Sequence, residues 1–467
     1  MSAFSDFPYP EDFPVFLPNA KLLDYLRRYA EHFGLRKHIK FETTVVSIRK
    51  CPDFATTGQW NVVTETDRKE TTHIFDAVIV CCGNCSEPSL PLHCFPGIER
   101  FQGQYFHSRW YKHPDVFQGK RVLVVGMGNS GADIAVEASH VAAKVTMCTR
   151  QGAWLFSRVF DHGYPWDMVF HTRLMKVIRT SLPGPLARRL INYWVNQRFN
   201  HENYGLQPED SCLLREPVLN DDLPSYILTG RITIKPGVKE FKDNSVVFHN
   251  CPEEEPIDIV VFCTGYDFSF PFLQQSVVKA ENKHASLYEY VFPIHLQRPT
   301  LAILGLLKPL GAVMPVSEMQ ARWVTRVFKG LCQLPPRSVM EKEVNKKKEN
   351  QVQWFGVTFD EVLKIDWLVY LDKIASFIGA KPSVLGLLCR DPRLALTVFF
   401  GPCSPYQYRL EGPGCWKGAR RAILTQWDRT LKPTRTRVPI NKLTPCPSLL
   451  TVVGFLLLLA ALVFSFQ

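Results

Sequence analysis

The chain has 467 residues, 46% hydrophobic and 21% charged, which excludes a disordered tract or a small disulfide-stapled domain and leaves room for two or three domains. A net charge of +11 favours anionic partners, but no basic stretch interleaved with aromatics marks a nucleic-acid surface. Fourteen cysteines follow no regular framework, the pattern of reduced thiols on a cytosol-facing protein.

Met1 to Asn19 is acidic, aromatic and Pro-rich, without the basic n-region and apolar core of a signal peptide. Ala20 to Leu35 carries Leu22, Leu23, Leu26, Tyr29, Ala30 and Phe33 on one face, which predicts an amphipathic helix. Ile39 to Arg49, Trp60 to Thr66 and Ile74 to Cys82 read as strands by β-branched content and alternation. The last is apolar throughout, as strands inside parallel sheets are. Cys82-Gly83-Asn84-Cys85 is formally C-x-x-C, but it lacks the second pair that zinc requires, and no metal site is predicted. Pro88 to Pro96 reads as a connector.

Lys120 to Arg150 organises the chain. Val122 to Val125 is a β-branched run suited to a buried strand, and Gly126, Gly128 and Gly131 follow as G-x-G-x-x-G. The first glycine allows a tight turn, the second lets backbone approach a pyrophosphate, and the third lets helix pack on strand. A helix beginning near Asn129 and Ser130 points free N–H groups at phosphate, with Ile134, Ala135, Ala138 and Val141 as its apolar stripe. The next strand, Lys144 to Cys148, leads to Thr149-Arg150, where an NAD site carries an acid for the ribose hydroxyl. Arg150 instead suits a 2′-phosphate, so the expected nucleotide is NADPH.

Beyond Arg150, Gly163 to Pro165 predicts a turn and Met168 to Phe199 a helical segment with Arg-rich faces. Ile227 to Phe248 reads as a strand meander broken at Gly230 and Asp243-Asn244. Ile257 to Phe262 and Thr300 to Leu307 are further apolar strands, and Glu318 to Cys332 is a helix. Lys342 to Glu349 is a charge run expected on a solvated helix face. Asp360 to Ile378, Leu394 to Phe400 and Ala419 to Leu431 follow. Ser448 to Phe466 is apolar over a length that can cross a bilayer, and Arg420, Arg421, Arg429, Lys432, Arg435, Arg437 and Lys442 precede it. The pattern predicts a tail anchor with the basic flank in the cytosol.

The order of Phe101/Gly103/His107/Tyr111, the glycine fingerprint and Phe262-Cys263-Thr264-Gly265-Tyr266 resembles the mammalian-type flavin-containing monooxygenases. Gly163-Tyr164-Pro165-Trp166-Asp167-Met168, Gly401-Pro402-Cys403-Ser404-Pro405-Tyr406 and the apolar tail resemble that family too. The likeness covers essentially the whole chain; Cys263 stands where the family usually has Ala.

The resemblance implies an α/β flavoprotein with two dinucleotide-binding domains and Rossmann-like parallel sheets, binding FAD and NADPH at the endoplasmic reticulum membrane. The remainder of the FAD domain would occupy 1–117, the NADPH domain with a helical insertion 118–265, the rest of the FAD domain and a helical C-terminal region 266–440, and the anchor 448–466. Such enzymes use O2 to oxygenate soft nitrogen and sulfur nucleophiles of small molecules, and the resemblance assigns no catalytic side chain. His107 is expected to organise the fingerprint loop, and Cys82, Gly83, Thr264 and Gly265 to line a flavin or nucleotide wall.

The departure is the family's first βαβ unit, whose own G-x-G-x-x-G holds the FAD pyrophosphate and which finds no counterpart in this sequence. The expectation is therefore an N-terminally shortened member. The alternative reading is a catalytically impaired membrane protein that keeps the NADPH domain; a simple NADP dehydrogenase or disulfide reductase is less well supported.

Overall fold

The computed structural model describes residues 1–209, 216–274, 276–278, 280–281, 284–355 and 363–437. An irregular aromatic segment opens the chain and packs on helix α1 (Asn19–His32). Tyr25 is fully buried there; its hydroxyl accepts the Phe4 N–H at 2.8 Å and donates to the Phe7 carbonyl at 2.6 Å. Strands β1 (Thr44–Lys50), β2 (Trp60–Thr66) and β3 (Lys69–Phe75) form an antiparallel sheet. The first strand begins later than expected, because Leu35–His38 is a 3₁₀ turn.

The strand expected over Ile74 to Cys82 is divided. Ile74 and Phe75 complete the β2–β3 hairpin opposite Asn61 and Trp60, so their ladder groups are already committed. A separate strand, β4 (Val78–Val80), then leaves to pair in parallel with Leu301–Ile303. Cys81 and Cys82 lie beyond its end and are exposed.

The central sheet takes β5 (Gln104–His107), β6 (Arg121–Val125), helix α2 (Asn129–Ala138) and β7 (Lys144–Cys148) in sequence. An insertion follows: β8 (Leu155–Phe156), helices α3 (Trp166–Phe170), α4 (Arg173–Ser181) and α5 (Gly184–Arg198), and β9 (Val218–Leu219) paired with β8. The expected helical stretch Met168 to Phe199 is thus three helices, interrupted at His171-Thr172 and Leu182-Pro183. Thr172 caps α4 by accepting the Met175 N–H at 3.1 Å, and Pro183 cannot continue it.

The expected meander also resolves into different elements. Ile227 and Leu228 end helix α6 (Leu223–Leu228), and β10 (Ile232–Lys235) joins the central sheet. Strands β11 (Val238–Phe241), β12 (Ser245–Phe248) and β13 (Cys251–Pro256) form a separate antiparallel sheet. After β14 (Ile259–Phe262), the five parallel strands stand in the order β10-β7-β6-β14-β5. Val122, Leu123, Val124, Val260 and Val261 are fully buried, so both faces of the sheet are covered, which explains their unbroken apolar runs.

The remainder includes β15 (Leu301–Ile303) and helices α7 (Val313–Phe328), α8 (Arg337–Phe355), α9 (Trp367–Phe377), α10 (Pro392–Phe400), α11 (Ala419–Leu424) and α12 (Gln426–Leu431), with a shorter helix at Val384–Arg390. The charge run on α8 is not merely solvated, since Lys347 reaches the buried Glu289 carboxylate at 2.7 Å. A buried ion pair ties the insertion to this region: Arg173 meets Asp372 at 2.9 Å, with Lys176 at 2.6 Å and the Tyr408 hydroxyl at 2.9 Å. Burial alone would raise the Asp372 carboxyl, but Arg173 and Lys176 hold it below its ordinary value. Among the described residues no helix is long and apolar enough to cross a membrane; Ser448 to Phe466 lies outside them.

Candidate functional site

The strand, glycine turn and helix form one unit at the carboxyl ends of β6 and β14. From β6 the chain goes to β7 and β10 on one side, then to β14 on the other, so this is where the strand order reverses. Crevices at such switch points receive ligands in open α/β sheets.

Each glycine has its own reason. Gly126 has φ 104°, and a Cβ there would lie 2.6 Å from the Cys263 carbonyl oxygen. A Cβ on Gly131 would lie 2.1 Å from the Gly126 carbonyl oxygen, so helix and turn touch backbone to backbone. At Gly128 nothing lies within 4 Å, leaving open space where a phosphate would approach.

Gly128 precedes α2 and supplies no side-chain cap, so the first-turn N–H groups of Asn129, Ser130 and Gly131 stay available to an anion. Asn129 turns its side chain away from that space. Its Oδ1 accepts the Leu219 N–H at 2.8 Å and fastens β9 beside the glycine turn. Arg150 is exposed after β7, with its stem over Gly237, where a Cβ would stand 2.8 Å from the Arg150 Cγ. These residues fit NADPH: an uncapped helix start for pyrophosphate and a guanidinium beyond the second strand for the 2′-phosphate.

Phe101, Gly103, His107 and Tyr111 surround this unit. The Phe101 ring lies over Gly103, where a Cβ would stand 2.4 Å from the ring. His107 ends β5 and is fully buried. Its Nδ1 accepts the Arg109 N–H at 3.1 Å, so Nε2 carries the proton and donates to the Gly265 carbonyl at 2.9 Å. Burial lowers its pKa, keeping the ring neutral, with both nitrogens engaged. Tyr111 donates to Glu137 on α2, and its ring stacks on Phe117 with centroids 5.4 Å apart. The four residues thus join β5, the loop after β14 and helix α2.

Thr264 and Gly265 are joined to the end of β4 through residues 85–89. Ser89 donates its N–H to the Gly265 carbonyl at 3.0 Å and accepts from the Thr264 hydroxyl. Asn84, next to Gly83, reaches the Leu307 carbonyl at 3.3 Å. Cys82 and Gly83 follow the end of β4, and partial desolvation raises the Cys82 and Cys85 thiols although both side chains reach the surface.

The flavin-binding monooxygenase-like family matches residues 1–467. The chain belongs to that family. It is 59% identical to flavin-containing monooxygenase 1 of Canis lupus familiaris over 97% of this chain and 85% of the relative. Dimethylaniline monooxygenase [N-oxide-forming] 2 of Macaca mulatta is 54% identical over 99% of this chain and 86% of its own. Among solved structures, S-allyl-L-cysteine S-oxygenase from Allium sativum superposes with TM-score 0.60 at 22% identity, covering 92% of this chain and 81% of its own. Cyclohexanone monooxygenase from Rhodococcus sp. Phi1 bound to NADP+ gives TM-score 0.57 at 15% identity, covering 84% and 88%. These two structures establish the two-domain α/β fold. The protein is a flavin-dependent monooxygenase, and its family uses FAD and NADPH.

The two cofactors differ in fit. Residues 120–150 fit NADPH as one strand–turn–helix–strand unit. For FAD the fit is poorer: among the described residues β4 pairs only with β15, and Ile79 on β4 is 38% exposed. Beside it, Ile74 and Phe75 are 65% and 47% exposed. Helix α7, which follows β15, also starts without a side-chain cap beyond Gly305 and Gly311, but among the described residues no strand–G-x-G-x-x-G–helix unit pairs with β4.

Arg150→Ala should weaken NADPH binding about tenfold or more, since a charged hydrogen bond contributes about 1.5–3 kcal/mol, and should leave NADH binding nearly unchanged. Titration with both nucleotides checks this; equal losses would make Arg150 a structural residue. Sequence reasoning missed Glu137, the partner of Tyr111, because a contact between loop and helix leaves no spacing signature.

Proposed function

We propose that the protein oxygenates soft nitrogen and sulfur nucleophiles of small apolar molecules with O2 and NADPH, giving N-oxides and S-oxides. A cavity of about 890 Å³ carries this reading. Phe160, Trp166, Leu190 and Trp194 of the insertion line it together with Leu155 and Phe156 of β8. Strand β9 closes against β8 and is held by Asn129, so the cavity adjoins the nucleotide unit. Such walls exclude water and accept varied apolar bodies without selecting a headgroup. The relatives named for N-oxide formation and S-oxygenation support the same substrate class.

In this reading the α2 amides and Arg150 hold NADPH, and the insertion helices shelter the substrate. Oxygen transfer depends on FAD and is assigned to no side chain here. The test offers N,N-dimethylaniline and methyl phenyl sulfide, under isotopically labelled O2, to a preparation of the protein that retains the flavin absorption band after gel filtration. Labelled N-oxide and sulfoxide, formed only with NADPH, are expected; unlabelled product or none would reject the reading. The open edge of β4 favours a second reading, in which a polypeptide of residues 1–467 binds NADPH without turnover.

We also propose residence in the endoplasmic reticulum membrane through Ser448 to Phe466, supported by its apolar sequence and basic flank. Deleting residues 448–467 should move the protein from membrane to soluble fractions. Charge reversal of Arg435 and Arg437 should do far less, because anchoring rests on the apolar span. Flotation of the deleted, monodisperse protein with lipid would place the anchor elsewhere.

A further inference from the structure

Two of the motifs carried by the sequence, Gly163 to Met168 and Gly401 to Tyr406, play no part in the nucleotide unit. They meet at a second cavity of about 350 Å³. Asp167 comes from the first motif, Ser404 from the second, and Gln426 from the start of α12. A backbone contact just beyond the first motif fastens the second, the Cys403 N–H donating to the His171 carbonyl at 2.7 Å.

The polar groups of this cavity are unusual. Ser404 is 5% exposed and Gln426 6% exposed, yet the Ser404 hydroxyl and both ends of the Gln426 amide lack a partner. Asp167 Oδ1 lacks one as well. A buried polar group without a partner costs stability, so clustered examples mark a place where something else supplies the bonds. Phe13, Leu17 and Met314 provide apolar surface around them. The wall formed by the N-terminal segment is pinned, since Arg429 donates to the Tyr9 carbonyl at 2.6 Å and Arg409 meets Asp6 at 2.7 Å.

The free groups define a pattern. Gln426 Oε1 and Asp167 Oδ1 accept; Gln426 Nε2 and the hydroxyls of Ser404 and Tyr9, the latter also lining the cavity without a partner, donate. A primary carboxamide presents the complement, two N–H donors on nitrogen and two acceptor lone pairs on oxygen. We propose that this cavity is a binding site for a small molecule carrying a primary carboxamide on an apolar body. The carboxamide could belong to a free small molecule or to the nicotinamide of the nucleotide, and competition separates the two.

The test measures benzamide binding to the full chain in detergent by calorimetry, with methyl benzoate as a twin that keeps the carbonyl and lacks both N–H donors. Benzamide should bind saturably and about tenfold or more tighter than the ester. Gln426→Leu should remove that preference, and Ser404→Ala should reduce it while leaving the protein folded, as followed by thermal unfolding. Saturating NADP+ that leaves benzamide affinity unchanged assigns the site to a free amide, and displacement assigns it to the nucleotide's own carboxamide. Equal affinity for amide and ester, or benzamide binding that neither substitution changes, would overturn the proposal and leave ordered water as the partner of these groups.

Discussion

A polypeptide of residues 1–467, purified in detergent with added FAD and gel-filtered, should be colourless while still binding NADPH. In this architecture a strand, its glycine turn and the following helix start hold the pyrophosphate through charge-assisted hydrogen bonds. Among the described residues a strand–G-x-G-x-x-G–helix unit forms at Gly126 to Gly131, and its neighbours are the strands of the central sheet rather than β4. Losing two or three such bonds, at about 1.5–3 kcal/mol each, weakens binding by about two orders of magnitude or more. Supplying a strand–glycine turn–helix unit ahead of residue 1 should restore the flavin absorption band and cover Ile74, Phe75 and Ile79. A yellow protein that keeps its flavin through gel filtration without that unit would mean the wall at Cys82-Gly83 and Thr264-Gly265 suffices alone.

The second large effect separates glycines that the sequence motif treats alike. Gly131→Ala places a methyl 2.1 Å from the Gly126 carbonyl oxygen, backbone that cannot yield without moving α2 off the turn. Overpacking of this kind costs about 1–3 kcal/mol, so thermal stability should fall and NADPH affinity drop about tenfold to a hundredfold. Gly128→Ala meets nothing within 4 Å in the protein, so the fold should melt as wild type while NADPH binds about tenfold weaker. Thermal unfolding and nucleotide titration on both variants separate the effects. Equal loss of stability in the two would mean the open space at Gly128 is not the phosphate approach.

The central sheet was legible because its strands are buried on both faces, so the Val122 to Val125 and Ile257 to Phe262 runs are continuous and bounded by glycine turns. The Ile74 to Cys82 run looked equally continuous, yet it holds parts of two strands. Composition cannot show that the hairpin register with Trp60 claims Phe75 and releases Val78. Helix breaks in the insertion depend on a Thr172 cap and on Pro183, local features that the longer apolar periodicity masks. The glycine turn was legible because Gly126 and Gly131 have no room for a Cβ, which fixes their spacing. Glu137, Asp167, Ser404 and Gln426 were not, because their meaning arises only when distant segments meet.

The most direct measurement is a structure of the protein with NADP+ bound. The account predicts the pyrophosphate on the N–H groups of Asn129 to Gly131, between the ends of β6 and β14, with the 2′-phosphate at Arg150. A pyrophosphate bound at any other helix start, or a 2′-phosphate turned away from Arg150, would contradict it.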